Sequence, residues 1–159
     1  MERVAVFPGS FDPFTIGHEN IVTRGLKLFD KIIIAVGHNT TKHYYFSLED
    51  RVKFIKAQFA EEPRVSVEAY ESLTVDFAIE KNAHSILRGI RTAADFEYER
   101  AIAQVNRLMT SIDSVFLLTT PEHTPVNSSI VRDILKHKGD ASKFIPETIY
   151  KLIMKKQSL

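Results

Sequence analysis

The sequence predicts a doubly wound α/β chain: a five-stranded parallel sheet with helices on both faces and a C-terminal helix. Two observations predict it. Short runs rich in Val and Ile, most of them apolar almost throughout, read as strands buried on both faces. Between them lie amphipathic stretches, several opened by helix start signals, so that β and α alternate five times before a last helix.

The strands are read at residues 3–7 (RVAVF), 31–36 (KIIIAV), 65–69 (VSVEA), 85–87 (SIL) and 114–118 (SVFLL). The first helical stretch runs over 19–29. Ser47 and Asp50 form a variant capping box that leads into 51–59, where Val52, Ile55 and Phe59 recur at spacings of three and four. Thr74 precedes the helix at 75–81, Thr92 with Asp95 opens 95–108, and Ser128 or Ser129 opens 130–136. Pro146, a favoured first-turn residue, starts a last helix that ends near Lys155. No repeat, low-complexity stretch or Pro/Gly-rich linker divides the 159 residues, which read as a single domain over 1–159. Such an arrangement is Rossmann-like.

Composition narrows the chemistry. With 44% hydrophobic and 26% charged residues, the chain has the profile of a globular domain with a core of its own. Cysteine is absent, which removes disulfides, thiolate metal sites and Cys nucleophiles. The net charge is +1, from 21 Lys and Arg against 20 Asp and Glu, so no global field draws in nucleic acid. The apolar part of the N-terminus is too short for a signal peptide, and no apolar run approaches a membrane span. The expected address is the cytoplasm, without membrane or nucleic-acid partners.

In a doubly wound sheet, ligands bind beyond the carboxyl ends of the strands. After the first strand comes 8–18 (PGSFDPFTIGH), where Gly9 and Gly17 are read as leaving room for a ligand against the backbone. The helix opening near Gly17 presents free N–H groups and a positive dipole end, suited to phosphate, with His18 placed to donate to the same oxyanion. A histidine at that place could equally be a mere cap. Neither the G-x-G-x-x-G fingerprint nor a Gly-Lys-Ser/Thr loop is present. Lys42 follows the second strand; Arg88 and Arg91 flank a glycine after the fourth; His123 and 125–129 (PVNSS) follow the fifth. Four strand ends that each carry phosphate-compatible groups read as a polyphosphate site. The six histidines are scattered, so no protein metal site is expected.

The residues that carry a family resemblance are G-S-F-D-P at 9–13 with T-I-G-H at 15–18, N-S-S at 127–129, and R-G-I-R at 88–91 with D-F-E-Y-E at 95–99. The first two resemble the T/H-x-G-H and serine-rich signatures of the nucleotidyltransferase superfamily. The R-G-I-R…D-F-E-Y-E run is much more specific and is similar to bacterial phosphopantetheine adenylyltransferases. S-L-E-D-R at 47–51 and F-I-P at 144–146 match the same pattern.

The resemblance implies transfer of the adenylyl group of ATP to 4'-phosphopantetheine, giving dephospho-coenzyme A and pyrophosphate, with Mg²⁺ assisting and without a covalent intermediate. It implies that His18, Lys42 and Arg91 are catalytic, and that Ser10, Lys42, Thr74 and Arg88 bind the acceptor. Ser10, Phe11, His18, Gly89, Ile90, Arg91 and Glu99 would contact ATP, as would His123, Thr124, Pro125, Val126, Asn127, Ser128 and Ser129. The family's hexamers lead to the expectation of a homohexamer. Three departures stand out: Ser10 replaces a threonine, Pro125-Val126-Asn127 replaces Phe-Ile-Ser, and Thr74 is polar where the family often carries an apolar residue. The competing expectations are another small nucleotidyltransferase, with nicotinate mononucleotide or glycerol phosphate as acceptor, and a non-catalytic ATP-binding module.

Overall fold

In the computed structural model, which describes Met1–Leu159, the alternating pattern becomes five strands and six helices. In chain order these are β1 (Val4–Gly9), α1 (Ile16–Gly25), β2 (Lys31–Gly37), α2 (Leu48–Gln58), β3 (Val65–Tyr70), α3 (Thr74–Glu80), β4 (Ser85–Ile90), α4 (Ala93–Met109), β5 (Asp113–Leu118), α5 (Ser128–Lys136) and α6 (Glu147–Gln157). Every strand pair is parallel, and the sheet order is β3-β2-β1-β4-β5. The chain steps outward from β1 to β3, crosses back to β4 and steps outward again, which is the doubly wound topology expected from the sequence. Right-handed crossovers put α1 and α2 on one face and α3 and α4 on the other.

The two faces are unequally filled. Ile21, Val22, Phe54, Ile55, Val131, Leu135, Ile149 and Ile153 bring α1, α2, α5 and α6 together over Ala5, Phe7, Ile32, Ile34 and Val36. The opposite face is covered mainly by Val75, Phe77 and Ala78 of α3 against Val4, Val6, Ile33, Ala35 and Ile86. Helix α4 contributes no buried residue. Its Tyr98, Ile102, Val105, Leu108 and Met109 lie exposed, Leu108 at 87%.

Several element ends differ from the sequence expectation, each for a local reason. Helix α1 begins at Ile16, three residues early, because Thr15 caps it, and it ends at Gly25, where Leu28 and Phe29 N–H both turn back to the Gly25 carbonyl. Strand β4 runs on to Ile90, since Arg88, Gly89 and Ile90 pair with Phe116, Leu117 and Leu118. Thr74 is the first residue of α3 rather than the residue before it. The cap of α5 is Asn127, whose Oδ1 accepts from Ile130 N–H at 2.9 Å, so Ser128 and Ser129 belong to the first turn. Helix α6 starts one residue after Pro146.

One local feature opens the site. Strands β1 and β4 share only two register pairs, Ala5 with Ser85 and Val6 with Ile86, although both strands continue beyond them. Pro8 has no N–H to give to a neighbouring strand. Arg88 Nη1 instead donates to the Pro8 carbonyl at 2.7 Å, and the strands separate at the topological switch point.

Two buried charged side chains hold the adjoining loops. The Asp12 carboxylate accepts from Tyr45 N–H at 2.7 Å and Phe46 N–H at 2.8 Å. Arg51, with 0% exposure, donates to the carbonyls of Ser10 (2.7 Å), Gly37 (3.0 Å) and Phe46 (3.3 Å). It thereby joins the ends of β1 and β2 to the loop before α2. Arg51→Met leaves three inward carbonyls without a donor and is expected to cost about 3 kcal/mol, measured as a fall in the urea midpoint. A loss below about 1 kcal/mol would show that water replaces the guanidinium there.

Candidate active site

Two cavities open at the carboxyl edge of the sheet and meet at Pro8, Gly9, Ser10 and Arg88. The smaller, of about 350 Å³, lies between the N-termini of α1 and α5. The larger, of about 880 Å³, runs from Lys42 and Tyr44 past Thr74 to the face of α4.

The N-terminus of α1 is built around a reciprocal cap. Thr15 N–H donates to His18 Nδ1 at 3.0 Å, and His18 N–H donates to Thr15 Oγ1 at 3.4 Å. Because a backbone N–H can only donate, Nδ1 is the acceptor and the neutral ring carries its proton on Nε2. The His18 ring packs among Phe7, Phe11 and Phe14, with centroids 6.3, 5.0 and 5.3 Å away. Burial, and then the nearby Arg88 and Arg91 charges, lower its pKa to about 3. His18 is therefore both a cap and a neutral hydrogen-bond donor in the cavity wall. Ile16 N–H donates to the Phe144 carbonyl at 3.0 Å, which leaves Gly17 N–H as the open donor of this turn.

The glycines divide. A Cβ at Gly17 would meet nothing closer than Thr15 Oγ1 at 3.5 Å, so the space there is open to a ligand. At Gly9 the expectation is corrected: a Cβ would lie 2.8 Å from the Phe11 ring, so the missing side chain makes room for Phe11. Phe11 itself sits in the left-handed region at φ 50; it is buried and lines the smaller cavity.

Helix α5 brings the second N-terminus. Ser128 Oγ donates to the Pro13 carbonyl at 2.9 Å, tying this helix to the first loop. Ser129 Oγ accepts from Arg132 Nη2 at 3.1 Å, and Arg132 Nη1 donates to the Asp12 carbonyl at 2.9 Å. Neither serine N–H has an intrahelical acceptor.

The sequence-predicted residues distribute as follows. Ser10, Phe11, His18, Gly89, Arg91, His123, Val126, Asn127, Ser128 and Ser129 line the smaller cavity. Ser10, Lys42, Thr74, Arg88 and Glu99 line the larger. Ile90, Thr124 and Pro125 line neither; Ile90 is buried, and Thr124 Oγ1 donates to the Thr120 carbonyl at 3.2 Å. Glu99, expected beside ATP, stands in the larger cavity and grips Arg88 with both oxygens, at 2.6 and 3.0 Å. That bidentate pair aims Arg88 across the junction. Arg91 Nε and N–H both donate to Asp95 Oδ2, at 3.2 and 3.1 Å. Lys42 Nζ donates to Ser10 Oγ at 3.4 Å, and Thr74 Oγ1 lies 2.9 Å from the Tyr70 hydroxyl.

Arg132 and Tyr44 were not singled out from the sequence, yet each lines a cavity. For Arg132 a signal existed: it stands one turn beyond Ser129 on the same helix face. No group of three His, Cys, Asp or Glu side chains is arranged to hold a metal ion. No helix is long and apolar enough to cross a membrane.

A doubly wound sheet with two helix N-termini, a neutral histidine donor and arginines at its switch point places the chain in a class that comparison with known proteins makes definite. Residues 6–134 match the model of the cytidylyltransferase-like family, to which the chain belongs. A solved bifunctional NMN adenylyltransferase/ADP ribose pyrophosphatase from Francisella tularensis shares the fold, with a TM-score of 0.68 at 18% identity over 91% of this chain and 45% of that one. Phosphopantetheine adenylyltransferases are far more similar in sequence. Those of Flavobacterium johnsoniae and Bacteroides fragilis are 53% and 49% identical, over 92% and 91% of this chain and 97% of each relative. Within its class, the chain belongs to the phosphopantetheine adenylyltransferase family.

The cap geometry has a consequence in pH. A folded-state pKa near 3 against about 6.5 for a free histidine means that the unfolded chain binds the extra proton first as pH falls. His18 therefore supports stability fully above about pH 6.5, and that support is lost as pH drops toward 3. Between pH 5 and 8 the Cε1–H resonance of His18 is expected to stay flat. A titration step near 6.5 would contradict the buried neutral donor.

Proposed function

We infer that this chain transfers the adenylyl group of ATP to 4'-phosphopantetheine, releasing pyrophosphate and dephospho-coenzyme A. The observation that carries the reading is the meeting of two unlike cavities at Ser10 and Arg88. The smaller offers what a triphosphate needs: helix N–H groups, Arg91, Arg132 and a histidine donor. The larger combines Lys42 and Arg88 near the junction with Leu73, Ile102 and Met109 farther out, which suits a phosphate at the end of a long, mostly neutral arm.

The chemistry asks little of the protein beyond placement and charge. The acceptor is a phosphate monoester, anionic at neutral pH, so no general base is required. One of its oxygens forms the new bond to the α-phosphorus of ATP while the bond to pyrophosphate breaks. Ser10, Lys42 and Arg88 hold the attacking phosphate, relieving repulsion between two anions. His18 Nε2–H donates to a non-bridging oxygen of the α-phosphate, and Arg91 supports it as charge shifts there. A neutral histidine suits this task, because it stabilises without giving up its proton. Mg²⁺ enters as part of the Mg–ATP substrate, held by phosphate oxygens and water. The Asp12 carboxylate is already engaged by two backbone N–H groups.

We also propose that the chain works as a homohexamer in the cytoplasm. Leu108 of α4, 87% exposed and outside both cavities, supports the assembly, since a monomer gains nothing by leaving it in water. A solution mass six times 18.1 kDa is the expected result of light scattering.

Purified protein with Mg–ATP is expected to release pyrophosphate only when 4'-phosphopantetheine is added, with dephospho-coenzyme A found by mass. Nicotinate mononucleotide and glycerol 3-phosphate serve as control acceptors, and release with either of them instead would replace the substrate assignment. His18→Ala is expected to lower turnover about 10²-fold, as loss of one oxyanion donor does, with smaller changes in KM. Arg88→Ala is expected to raise the KM for the acceptor more than that for ATP; equal rises would place Arg88 outside the acceptor subsite.

A further inference from the structure

Between β2 and α2 the chain turns through residues 38–44, and the ring of Tyr44 gathers the groups of this turn. The Arg51 guanidinium carbon lies 4.0 Å from the ring centroid, and Lys42 Nζ lies 5.4 Å from it. The His38 ring stacks on the same tyrosine, with centroids 5.6 Å apart and planes inclined by 25°. The Tyr44 hydroxyl accepts from Asn39 N–H at 2.9 Å, which fixes the ring within its own loop. Both cations on this ring lead to one residue: Arg51 Nη1 donates to the Ser10 carbonyl at 2.7 Å, and Lys42 Nζ donates to Ser10 Oγ at 3.4 Å.

We propose that Tyr44 is a positioning residue for the acceptor phosphate, its ring holding the Lys42 ammonium against Ser10 at the junction of the two cavities. The proposal rests on the reading of the larger cavity as the acceptor's. A lysine on a flexible four-carbon stem loses rotamer freedom when a ligand immobilises it, and that loss weakens binding. Lys42 has no carboxylate to anchor it; a negative partner there would compete with the phosphate. The negative face of an aromatic ring attracts an ammonium without neutralising its charge. Arg51, buried beneath the loop and hydrogen-bonded to three carbonyls, fixes the ring in turn. Tyr44 thus presets a cation that remains free to bind an anion.

The test uses the full chain and two readouts. In the first, Tyr44→Leu is expected to raise the KM for phosphopantetheine about tenfold while the KM for ATP stays within about twofold. Tyr44→Phe keeps the ring and loses only the hydroxyl, so most of the acceptor affinity is restored, with the KM less than about threefold above wild type. Equal rises in both KM values for Tyr44→Leu, or a phenylalanine variant as weak as the leucine one, would overturn the proposal. In the second, lysines are dimethylated with ¹³C-formaldehyde and Lys42 is assigned through Lys42→Arg. The Lys42 methyl resonance of the otherwise unaltered chain is expected to be shifted upfield by the ring, away from those of exposed lysines, and to lose that shift in Tyr44→Leu. A Lys42 resonance lying among the exposed lysines overturns the proposal even where the leucine variant does not fold. Should the unaltered chain release no pyrophosphate with phosphopantetheine, the functional reading fails by itself, and the methyl resonance alone then decides whether Tyr44 holds Lys42.

Discussion

Arg51 enters the interior with no carboxylate of its own, and the mouth of the sheet is organised around it. Its guanidinium reaches the carbonyls of Ser10, Gly37 and Phe46, which lie just after β1, at the end of β2 and in the loop before α2. Asp12 runs the opposite way, accepting from the N–H groups of Tyr45 and Phe46. Burying a charge is costly unless hydrogen bonds replace its hydration, so the contacts of Arg51 Nε and Nη1 are enforced by the cost of their loss, while Nη2 has no hydrogen-bond partner. Burial lowers the Arg51 pKa, an effect that the Asp12 carboxylate opposes. The result is a loop of defined shape from residues 8 to 15, which is what the site requires.

That loop is then read by both cavities. Ser128 and Arg132 of α5 bind the Pro13 and Asp12 carbonyls, so the second helix N-terminus is registered against the first through the loop backbone. Arg88, gripped by Glu99, spans from β4 to the Pro8 carbonyl where ladder pairing has stopped. Arg88 of β4 and Arg132 of α5 therefore stand on regular elements and line the same crevice. Preorganised charge of this kind stabilises a shifting phosphate charge without reorganising at the moment of reaction. His18 belongs to the same design. Its Nδ1 is committed to the Thr15 cap, so a single donor hydrogen remains, and the surrounding phenylalanines keep it neutral.

Much of this was legible in the chain itself. β1 and β2 announced themselves because central strands buried on both faces must be continuously apolar, and 32–36 consists entirely of Ile, Ala and Val. Thr92 was readable as a cap because the short-range bond to Asp95 N–H depends only on local spacing. The end of β4 was misjudged because Arg88 and Gly89 look like loop residues; pairing with β5 makes them strand, and pairing is not local. Arg51 was placed at the start of the 51–59 helix without a role, because two of the three carbonyls that bury it come from segments 14 and 41 residues away. Glu99 was named only through the family resemblance, as an ATP contact, and its engagement by Arg88 was not legible.

Hydrophobic periodicity, start signals and the chemistry of strand ends by themselves determined the α/β alternation, the parallel sheet and the strand-end loops that carry the site. These are properties of near neighbours, with residue spacing setting the period and a side chain reaching its own backbone. Tertiary structure alone decided where β1 and β4 part, which serine hydroxyls are spent on Pro13 and Arg132, that Gly9 yields space to Phe11, and that Tyr44 gathers Lys42 and Arg51. Each of those depends on groups distant in sequence arriving at one place, and burial then makes an unpaired partner costly.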